Sequence, residues 1–96
     1  MKKEMAKEEI VAAINKKFAA KKYQWMNGYA SVDEETGYID VSYYYDDKSM
    51  YDEFMQFEIV LGRRLAEKIN AKYDTSKMNF FTEDGWYEVS FFLIER

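Results

Sequence analysis

The side chains that could do chemistry in this chain are serines and carboxylates, because it contains neither His nor Cys. Without His it lacks the commonest general base and the commonest metal ligand. Without Cys it lacks a thiolate nucleophile, a disulfide and a thiolate metal site. Ser42 and Ser90 have no His, and no Lys nearby in the sequence, to activate their hydroxyls. We therefore predict that the protein is not an enzyme.

Paired carboxylates offer a second route to chemistry, since they can hold a hard cation. Asp46-Asp47 and Asp52-Glu53 are such pairs. The acids of residues 33–37 and 46–53 do not follow the Asp-x-Asp-x-Asp-Gly ladder of a calcium loop, and acids at a helix start also favour the helix dipole. No glycine-rich phosphate loop is present. We predict no cofactor and no metal, and keep a carboxylate-based metal-binding protein as the weakest alternative.

Length and composition indicate a single domain, residues 1–96, with a modest core. Aromatic residues make up 19% of the chain, so large rings must supply much of the packing. The longest apolar run of the Lys-rich N-terminus, Ile10 to Ile14, is too short for a signal-peptide core or a membrane span. These features predict a soluble, cytoplasmic protein without a membrane partner.

A nine-residue string occurs twice and organises the elements that must position these side chains. Gly37 to Tyr45 reads GYIDVSYYY, and Gly85 to Leu93 reads GWYEVSFFL. Upstream, Ile14 to Lys21 aligns with Leu61 to Lys68, at an offset one residue smaller. Such self-similarity predicts a duplicated α-β-β unit, residues 3–45 and 49–95. Convergence of amphipathic patterns is the alternative explanation.

Two helices are predicted from apolar residues at helical spacing. The first covers residues 3–22, and lysines crowd its C-terminal turns, where the helix dipole favours cations. The second begins near Ser49, which with Asp52 resembles a capping box. Gly62 lies within this second helix, and we predict that it either lets the first helix approach closely or kinks the helix.

Four strands are predicted at residues 29–32, 37–45, 77–82 and 86–94, and residues 73–76 are predicted to be a loop. Asp84-Gly85 is a strong signal for a tight hairpin between the last two strands. The predicted fold class is therefore α+β with the order αββαββ, in which a four-stranded antiparallel sheet carries both helices on one face.

Alternation along the repeated strands predicts which side chains face the helices and which face outward. The predicted inward set is Ile39, Val41, Tyr43, Tyr45, Tyr87, Val89, Phe91 and Leu93. The predicted outward set is Tyr29, Tyr38, Asp40, Ser42, Tyr44, Phe81, Trp86, Glu88, Ser90, Phe92 and Ile94. The outward set combines rings with carboxylates, which is typical of an interaction surface. Its simpler interpretation is that cross-strand aromatic pairs only stabilise the sheet.

The net charge of -4 conceals a strong asymmetry. Residues 1–22 have a local charge of +4, and the rest of the chain has -8. Nine carboxylates stand against Lys48 between Asp33 and Glu58. This field repels phosphate backbones, and an aromatic face that stacks bases needs basic neighbours, so we predict no direct binding of nucleic acid.

The leading hypothesis is a small acidic, non-catalytic protein-binding module that engages a basic surface. In its sharper form the module is an inhibitor of phage or mobile-element type, whose carboxylates mimic nucleic acid. The predicted partner-binding residues are Asp33, Glu34, Glu35, Tyr38, Asp40, Tyr44, Asp46, Asp47, Asp52, Glu53, Trp86, Glu88 and Phe92. The alternative is a structural homodimer that uses the aromatic outer face, with the acids maintaining solubility.

Overall fold

A computed structural model describes residues 6–45 and 53–96, which form a mixed α+β structure. The helical elements are α1 (Lys7–Ala19), a 3₁₀ helix (Lys21–Met26), α2 (Glu53–Leu61) and α3 (Arg63–Lys72). The strands are β1 (Tyr29–Val32), β2 (Ile39–Tyr44), β3 (Tyr73–Asp74), β4 (Met78–Glu83), β5 (Trp86–Phe91) and β6 (Ile94–Glu95). The helix and strand classes therefore agree with the predicted α+β class.

The first helix is shorter than predicted because the backbone becomes extended at Ala20, where ψ is 142°. A 3₁₀ helix follows, and Asn27 ends it in the left-handed conformation with φ of 48°. The Gln24 side chain donates a hydrogen bond to the Ala19 carbonyl at 2.9 Å, which satisfies a carbonyl that the ended helix leaves open. Residues 3–5 of the predicted helix lie outside the described residues.

The second predicted helix is broken into α2 and α3 at Gly62, which has φ of +78° and ψ of 155°. Its predicted start near Ser49 lies outside the described residues. A Cβ on Gly62 would lie 2.8 Å from Nζ of Lys17, in α1. The predicted interruption of the helix at Gly62 is thus confirmed. Its neighbour from the first helix is the tip of the Lys17 side chain, so close approach of the first helix stays a prediction.

The main sheet has four antiparallel strands in the order β1-β2-β5-β4. The two repeated strings therefore supply the central strands, and their equivalent residues Val41 and Val89 lie directly opposite each other. On one side of this pair Asp40 lies opposite Ser90, and on the other side Ser42 lies opposite Glu88. The four-stranded antiparallel sheet is confirmed. The two halves differ in the helix break and in β3 and β6, so the duplicated unit stays a prediction.

The C-terminal residues depart from the predicted fourth strand. β5 ends at Phe91, and Ile94 instead pairs with Asp74 in a separate two-stranded sheet of β3 and β6. The prediction of a loop at residues 73–76 is therefore wrong for β3, and the prediction that Ile94 belongs to the outer face of the main sheet is wrong. Nε of Arg96 donates to the carbonyls of Asn70 and Tyr73, at 2.6 and 3.1 Å. These bonds hold the C-terminus beside the end of α3 and the start of β3, where it pairs as β6 instead of continuing β5.

The core joins the helices to one face of the main sheet. The predicted inward residues of the central strands are buried, namely Ile39, Val41, Tyr43, Tyr87, Val89 and Phe91. They form one cluster with helix residues Ile10, Ile14, Phe18, Phe57, Val60, Leu61, Ala66 and Ile69. The rings of Phe57 and Phe91 pack edge to face with centroids 4.6 Å apart. In the part of the chain that is described, no helix is long and apolar enough to cross a membrane.

Candidate functional site

The face of the main sheet opposite the core, called here the outer face, is built from four rows of side chains that the strand register places side by side. The first row holds Tyr38 and Phe92. The second row holds Ser31, Asp40, Ser90 and Asn79. The third row holds Tyr29, Ser42, Glu88 and Phe81. The fourth row holds Tyr44, Trp86 and Glu83. Two rows whose central positions are Ser and carboxylate residues thus lie between two aromatic pairs.

One end of the outer face is closed by the rings of Tyr38 and Phe92. Their centroids are 4.2 Å apart and their planes meet at 65°, which is the edge-to-face geometry that aromatic quadrupoles favour. Both side chains are half-buried. They help to line a cleft of about 520 Å³, whose other lining residues are Ser76, Lys77, Met78, Asn79, Leu93 and Ile94. The pair therefore forms one wall of a surface depression.

The carboxylate of Asp40 is held in place by its cross-strand neighbour. Oγ of Ser90 donates a hydrogen bond to Oδ1 of Asp40 at 2.7 Å. Alternation along the strands predicts that both residues face outward, but it does not predict this bond, which depends on the register between strands whose bonded residues are fifty positions apart. The bond gives the Ser90 hydroxyl a role in orienting a carboxylate.

The second carboxylate of the outer face, Glu88, is exposed and lies beside Trp86. Nε1 of the indole donates to Oε1 of Glu88 at 3.3 Å. Tyr44 stands opposite Trp86, with 38% of its surface exposed. A second cleft, of about 390 Å³, lies between Glu88, Phe81 and their neighbours Asn79, Phe80 and Ser90. Glu88 therefore adjoins both an aromatic pair and a depression.

The exposed rings at the margins of the outer face are Tyr29 and Phe81, which are 64% and 53% exposed. They occupy the two ends of the row that contains Ser42 and Glu88. The outer face thus brings together six predicted partner-binding residues, Tyr38, Asp40, Tyr44, Trp86, Glu88 and Phe92, and places the margin residues Asn79, Ser31 and Glu83 among them. Continuing the two-residue alternation from Tyr29 to Ser31, and from Phe81 to Asn79 and Glu83, would have found these three.

The acidic turn between β1 and β2 is held together by Asp33, which gives one of the predicted partner-binding acids a structural role. Oδ1 of Asp33 accepts hydrogen bonds from the backbone N–H groups of Glu35 and Thr36, at 2.9 and 3.4 Å. The Asp33 backbone N–H donates to the Tyr38 carbonyl at 2.9 Å, so the turn lies at the Tyr38 end of the outer face. Glu34 and Glu35 are exposed there.

The remaining predicted acids follow β2 in the sequence, up to the first residue of α2. Glu53 is the first residue of α2. Asp46, Asp47 and Asp52 lie outside the described residues, so their part in the predicted surface stays a prediction. Among residues 6–45 and 53–96, no group of three or more His, Cys, Asp or Glu side chains is placed to hold a metal ion.

Two groups away from the outer face have shifted acidities. Burial raises the pKa of the Tyr43 phenol, and the nearby Tyr87 and Tyr45 phenols add to the shift. Hydrogen bonds from the backbone and side chain of Ser76 lower the pKa of the half-buried Asp74 carboxyl below its ordinary value of 3.8, and Arg96 and Lys77 add smaller contributions. Both shifts have structural causes in the core or in the turn after β3.

The outer face can bind cationic groups, because carboxylates form ion pairs with them and ring faces attract them. Its tyrosine rings also offer large contact area with few rotatable bonds. Comparison with known proteins adds no assignment, since no protein-family model, no curated protein and no solved structure matches the chain.

Proposed function

We propose that the chain is a small, non-catalytic protein-binding module whose outer face engages a basic surface of its partner. The observation that carries this proposal is the placement of Asp40 and Glu88 on an open sheet face, between the Tyr38–Phe92 and Tyr44–Trp86 pairs. Aromatic residues supply most of the energy at protein interfaces, and carboxylates select a partner of opposite charge.

Each carboxylate has the surroundings expected for recognition of one Lys or Arg side chain. Asp40 adjoins the row of Tyr38 and receives the hydrogen bond of Ser90, and Glu88 adjoins the row of Tyr44 and receives the hydrogen bond of Trp86. These bonds restrict the carboxylates before a partner arrives, so less conformational entropy is lost on binding. A cation that pairs with the acid can also lie over a neighbouring ring.

The proposed duplication gives this face an approximate twofold symmetry. Within the repeated strings Asp40 corresponds to Glu88, Tyr38 to Trp86, and Tyr44 to Phe92. The antiparallel register about Val41 and Val89 supports the duplication, since a twofold axis through that pair exchanges the two strings. The face then presents two similar sites, which suits a partner with two cationic side chains.

In a sharper form of the proposal, the module inhibits a nucleic-acid-binding protein of its host, as phage and mobile-element inhibitors do. The carboxylates would occupy positions that nucleic-acid phosphates take on the partner. The charge of -8 outside residues 1–22 supports this form, together with the small size of the chain. A cytoplasmic location belongs to the same proposal.

Titration with a defined cationic probe tests the proposed face directly. The probe is an Arg-rich peptide of about ten residues, long enough to span two rows of a sheet, and a Glu-rich peptide of equal length is its control. With the Arg-rich peptide we expect changes in the NMR chemical shifts of the backbone amides of Asp40 and Glu88 and of the Trp86 indole. We expect no such changes with the Glu-rich peptide. Shifts spread evenly over all exposed acids would contradict a specific site.

Neutralising variants extend this test to the native partner. Asp40→Asn with Glu88→Gln should weaken capture of the partner from the native host, and added salt should weaken it further. Glu8→Gln with Glu67→Gln is the matched control, since it removes equal charge from exposed helix positions. Capture of the partner that is unchanged by added salt, or by the outer-face substitutions, would contradict the proposal.

A separate pair of variants tests the mimic form. Neutralising Asp46, Asp47, Asp52 and Glu53 together should reduce competition with nucleic acid for the captured partner. If those substitutions leave the competition unchanged while Asp40→Asn with Glu88→Gln removes partner binding, the module is a protein-binding face without nucleic-acid mimicry.

A further inference from the structure

The two edges of the main sheet differ in how their backbone hydrogen-bonding groups are satisfied. At the β1 edge, the Asn15 side chain of α1 bonds both backbone groups of Ala30. At the opposite edge, β4 has no neighbouring strand on its outer side among the described residues. An unpaired edge strand presents a row of free hydrogen-bonding groups, which is a template for another strand.

The hairpin fixes which residues of β4 point their backbone groups outward. The two-residue turn Asp84-Gly85 makes Glu83 and Trp86 a hydrogen-bonded pair, and the Lys77 carbonyl accepts from the Phe92 N–H at 3.3 Å. Because the pattern alternates, the odd-numbered residues of β4 bond β5. Met78, Phe80 and Thr82 therefore direct their N–H and C=O groups away from the sheet.

The middle of β4 does not guard this edge. Natural edge strands are commonly blunted by Lys, Pro or a bulge, whereas the only charges here are Lys77 before the strand and Glu83 at its end, and residues 78–82 between them read MNFFT, without a charge or a proline. The register to β5 runs without a bulge from Met78 to Glu83. Phe81 is 53% exposed, and Asn79, Thr82 and Glu83 are exposed as well.

We propose that β4 pairs edge to edge with β4 of a second copy of this chain, antiparallel about a twofold axis at Phe80. In this register Phe80 lies opposite Phe80 of the second copy, and Met78 lies opposite Thr82 of the second copy. All three outward-pointing residues of each strand are then bonded. The two four-stranded sheets become one continuous sheet, and their outer faces lie side by side.

Charge complementarity selects a second copy and this register. The same alignment places Lys77 opposite Glu83 of the second copy, and the symmetry repeats the pair at the other end. Opposite charges directly across an antiparallel pair stabilise it, and like charges destabilise it. A shift of two residues in either direction separates both pairs and leaves an outward-pointing residue unbonded.

The dimer is expected to be weak and to depend on concentration. A contact limited to one strand per copy falls at the small end of protein interfaces, and two copies of charge -4 repel each other at long range. The proposal is independent of the proposed function, because it uses the strand edge and leaves Asp40 and Glu88 open. A chain that dimerises without binding a basic partner, or the reverse, separates the two.

Disulfide trapping tests the register, since the chain has no native Cys. Asn79 lies opposite Phe81 of the second copy, and opposite residues in this type of pair are close enough for a disulfide. Protein with Asn79→Cys is mixed with protein with Phe81→Cys under mild oxidation. We expect mixed disulfides in excess of the statistical proportion. Disulfides dominated by one variant alone, or no excess of mixed ones, would overturn the register.

The same experiment separates edge pairing from a dimer of stacked outer faces. Sheets packed face to face are about 10 Å apart, which exceeds the reach of a disulfide between backbone positions. An associated protein that yields no trapped mixed dimer therefore contradicts edge pairing. Asn79 and Phe81 are exposed, so both substitutions leave the core intact.

Charge reversal tests the Lys77–Glu83 contact by sedimentation equilibrium of the full chain. Lys77→Glu or Glu83→Lys should each raise the dimer dissociation constant about tenfold, since each turns two attractive pairs into repulsive ones. The double variant should restore the wild-type constant. Lys77 also lies near Asp74 of its own chain, so Lys77→Glu changes a contact within the monomer as well. Glu83→Lys does not change that contact, and an equal effect of the two variants therefore assigns the effect to the dimer.

Matched reversals on α3, Glu67→Lys and Lys68→Glu, control for net charge at exposed positions. Equal effects of the α3 and β4 reversals, or a double variant that fails to recover, would contradict the contact. A wild-type chain that sediments as a monomer at high micromolar concentration would overturn the dimer itself.

Discussion

The side-chain amide of Asn15 forms two hydrogen bonds with the backbone of Ala30. Its Oδ1 accepts from the Ala30 N–H at 2.8 Å, and its Nδ2 donates to the Ala30 carbonyl at 2.9 Å. Ala30 is fully buried, so both of its backbone groups need partners within the protein. The amide thus supplies to the edge of β1 what a further strand would otherwise supply, and it joins α1 to the sheet.

We expect Asn15→Leu to lower the free energy of unfolding by about 1 to 3 kcal/mol, because it leaves the buried backbone groups of Ala30 without partners. Urea unfolding followed by circular dichroism measures the change. Lys16→Ala, at an exposed position of the same helix, is the control and should change stability by less than about 0.5 kcal/mol. Equal effects of the two substitutions would show that the amide is dispensable.

Gly28 leaves no space for a side chain. A Cβ at this position would lie 2.2 Å from the ring of Phe18, which is buried in the core. We expect Gly28→Ala to destabilise the protein by about 1 to 3 kcal/mol through overpacking. A double-mutant cycle with Phe18→Leu measures the coupling, and the double variant should lose less than the sum of the single losses. Strict additivity would place the origin of the loss elsewhere.

The hairpin turn between β4 and β5 depends on positive φ at two consecutive residues, 50° at Asp84 and 83° at Gly85. Gly85→Ala should cost about 1 kcal/mol, because a Cβ disfavours this conformation. The added Cβ would also lie 3.0 Å from the Tyr44 ring. Asp84→Asn is the matched control and should be nearly neutral, since Asn tolerates left-handed φ. Thermal unfolding of both variants measures these effects. A Gly85→Ala variant with the same unfolding midpoint as the wild type would contradict the turn geometry.

Stability should fall as pH rises above 10, the ordinary pKa of a tyrosine phenol. Burial raises the pKa of Tyr43 in the folded state, so the unfolded chain loses this proton first and is favoured in alkali. For one such group the slope is at most about 1.4 kcal/mol per pH unit. Urea unfolding between neutral and strongly alkaline pH measures it.

Tyr43→Phe removes this titration and should flatten the alkaline loss, whatever it does to stability at neutral pH. Tyr29→Phe makes the same chemical change at an exposed ring and serves as the control. If Tyr43→Phe keeps the full wild-type slope, other groups account for the alkaline loss.

Local patterns in the sequence were sufficient for the four strands of the main sheet and for the faces of its central strands. Alternation along the repeated strings assigns Ile39, Val41 and Tyr43 to the core and Asp40 to the outer face, and the structure agrees. Asp84-Gly85 marks a tight turn, and Gly62 marks a helix break. These features depend on φ, on side-chain period and on local polarity, which neighbouring residues specify.

Contacts between distant parts of the chain were decided by the tertiary structure. The bond from Ser90 to Asp40 needs the register of β2 against β5, and the bonds from Asn15 to Ala30 need α1 to lie along β1. Pairing of Ile94 with Asp74 overrides the alternation that would have continued β5. An alternating pattern specifies only which face a residue occupies, because any shift of two residues preserves it. The neighbours across the sheet, and hence the carboxylates, rings and free edge available to a partner, follow from packing of the whole chain.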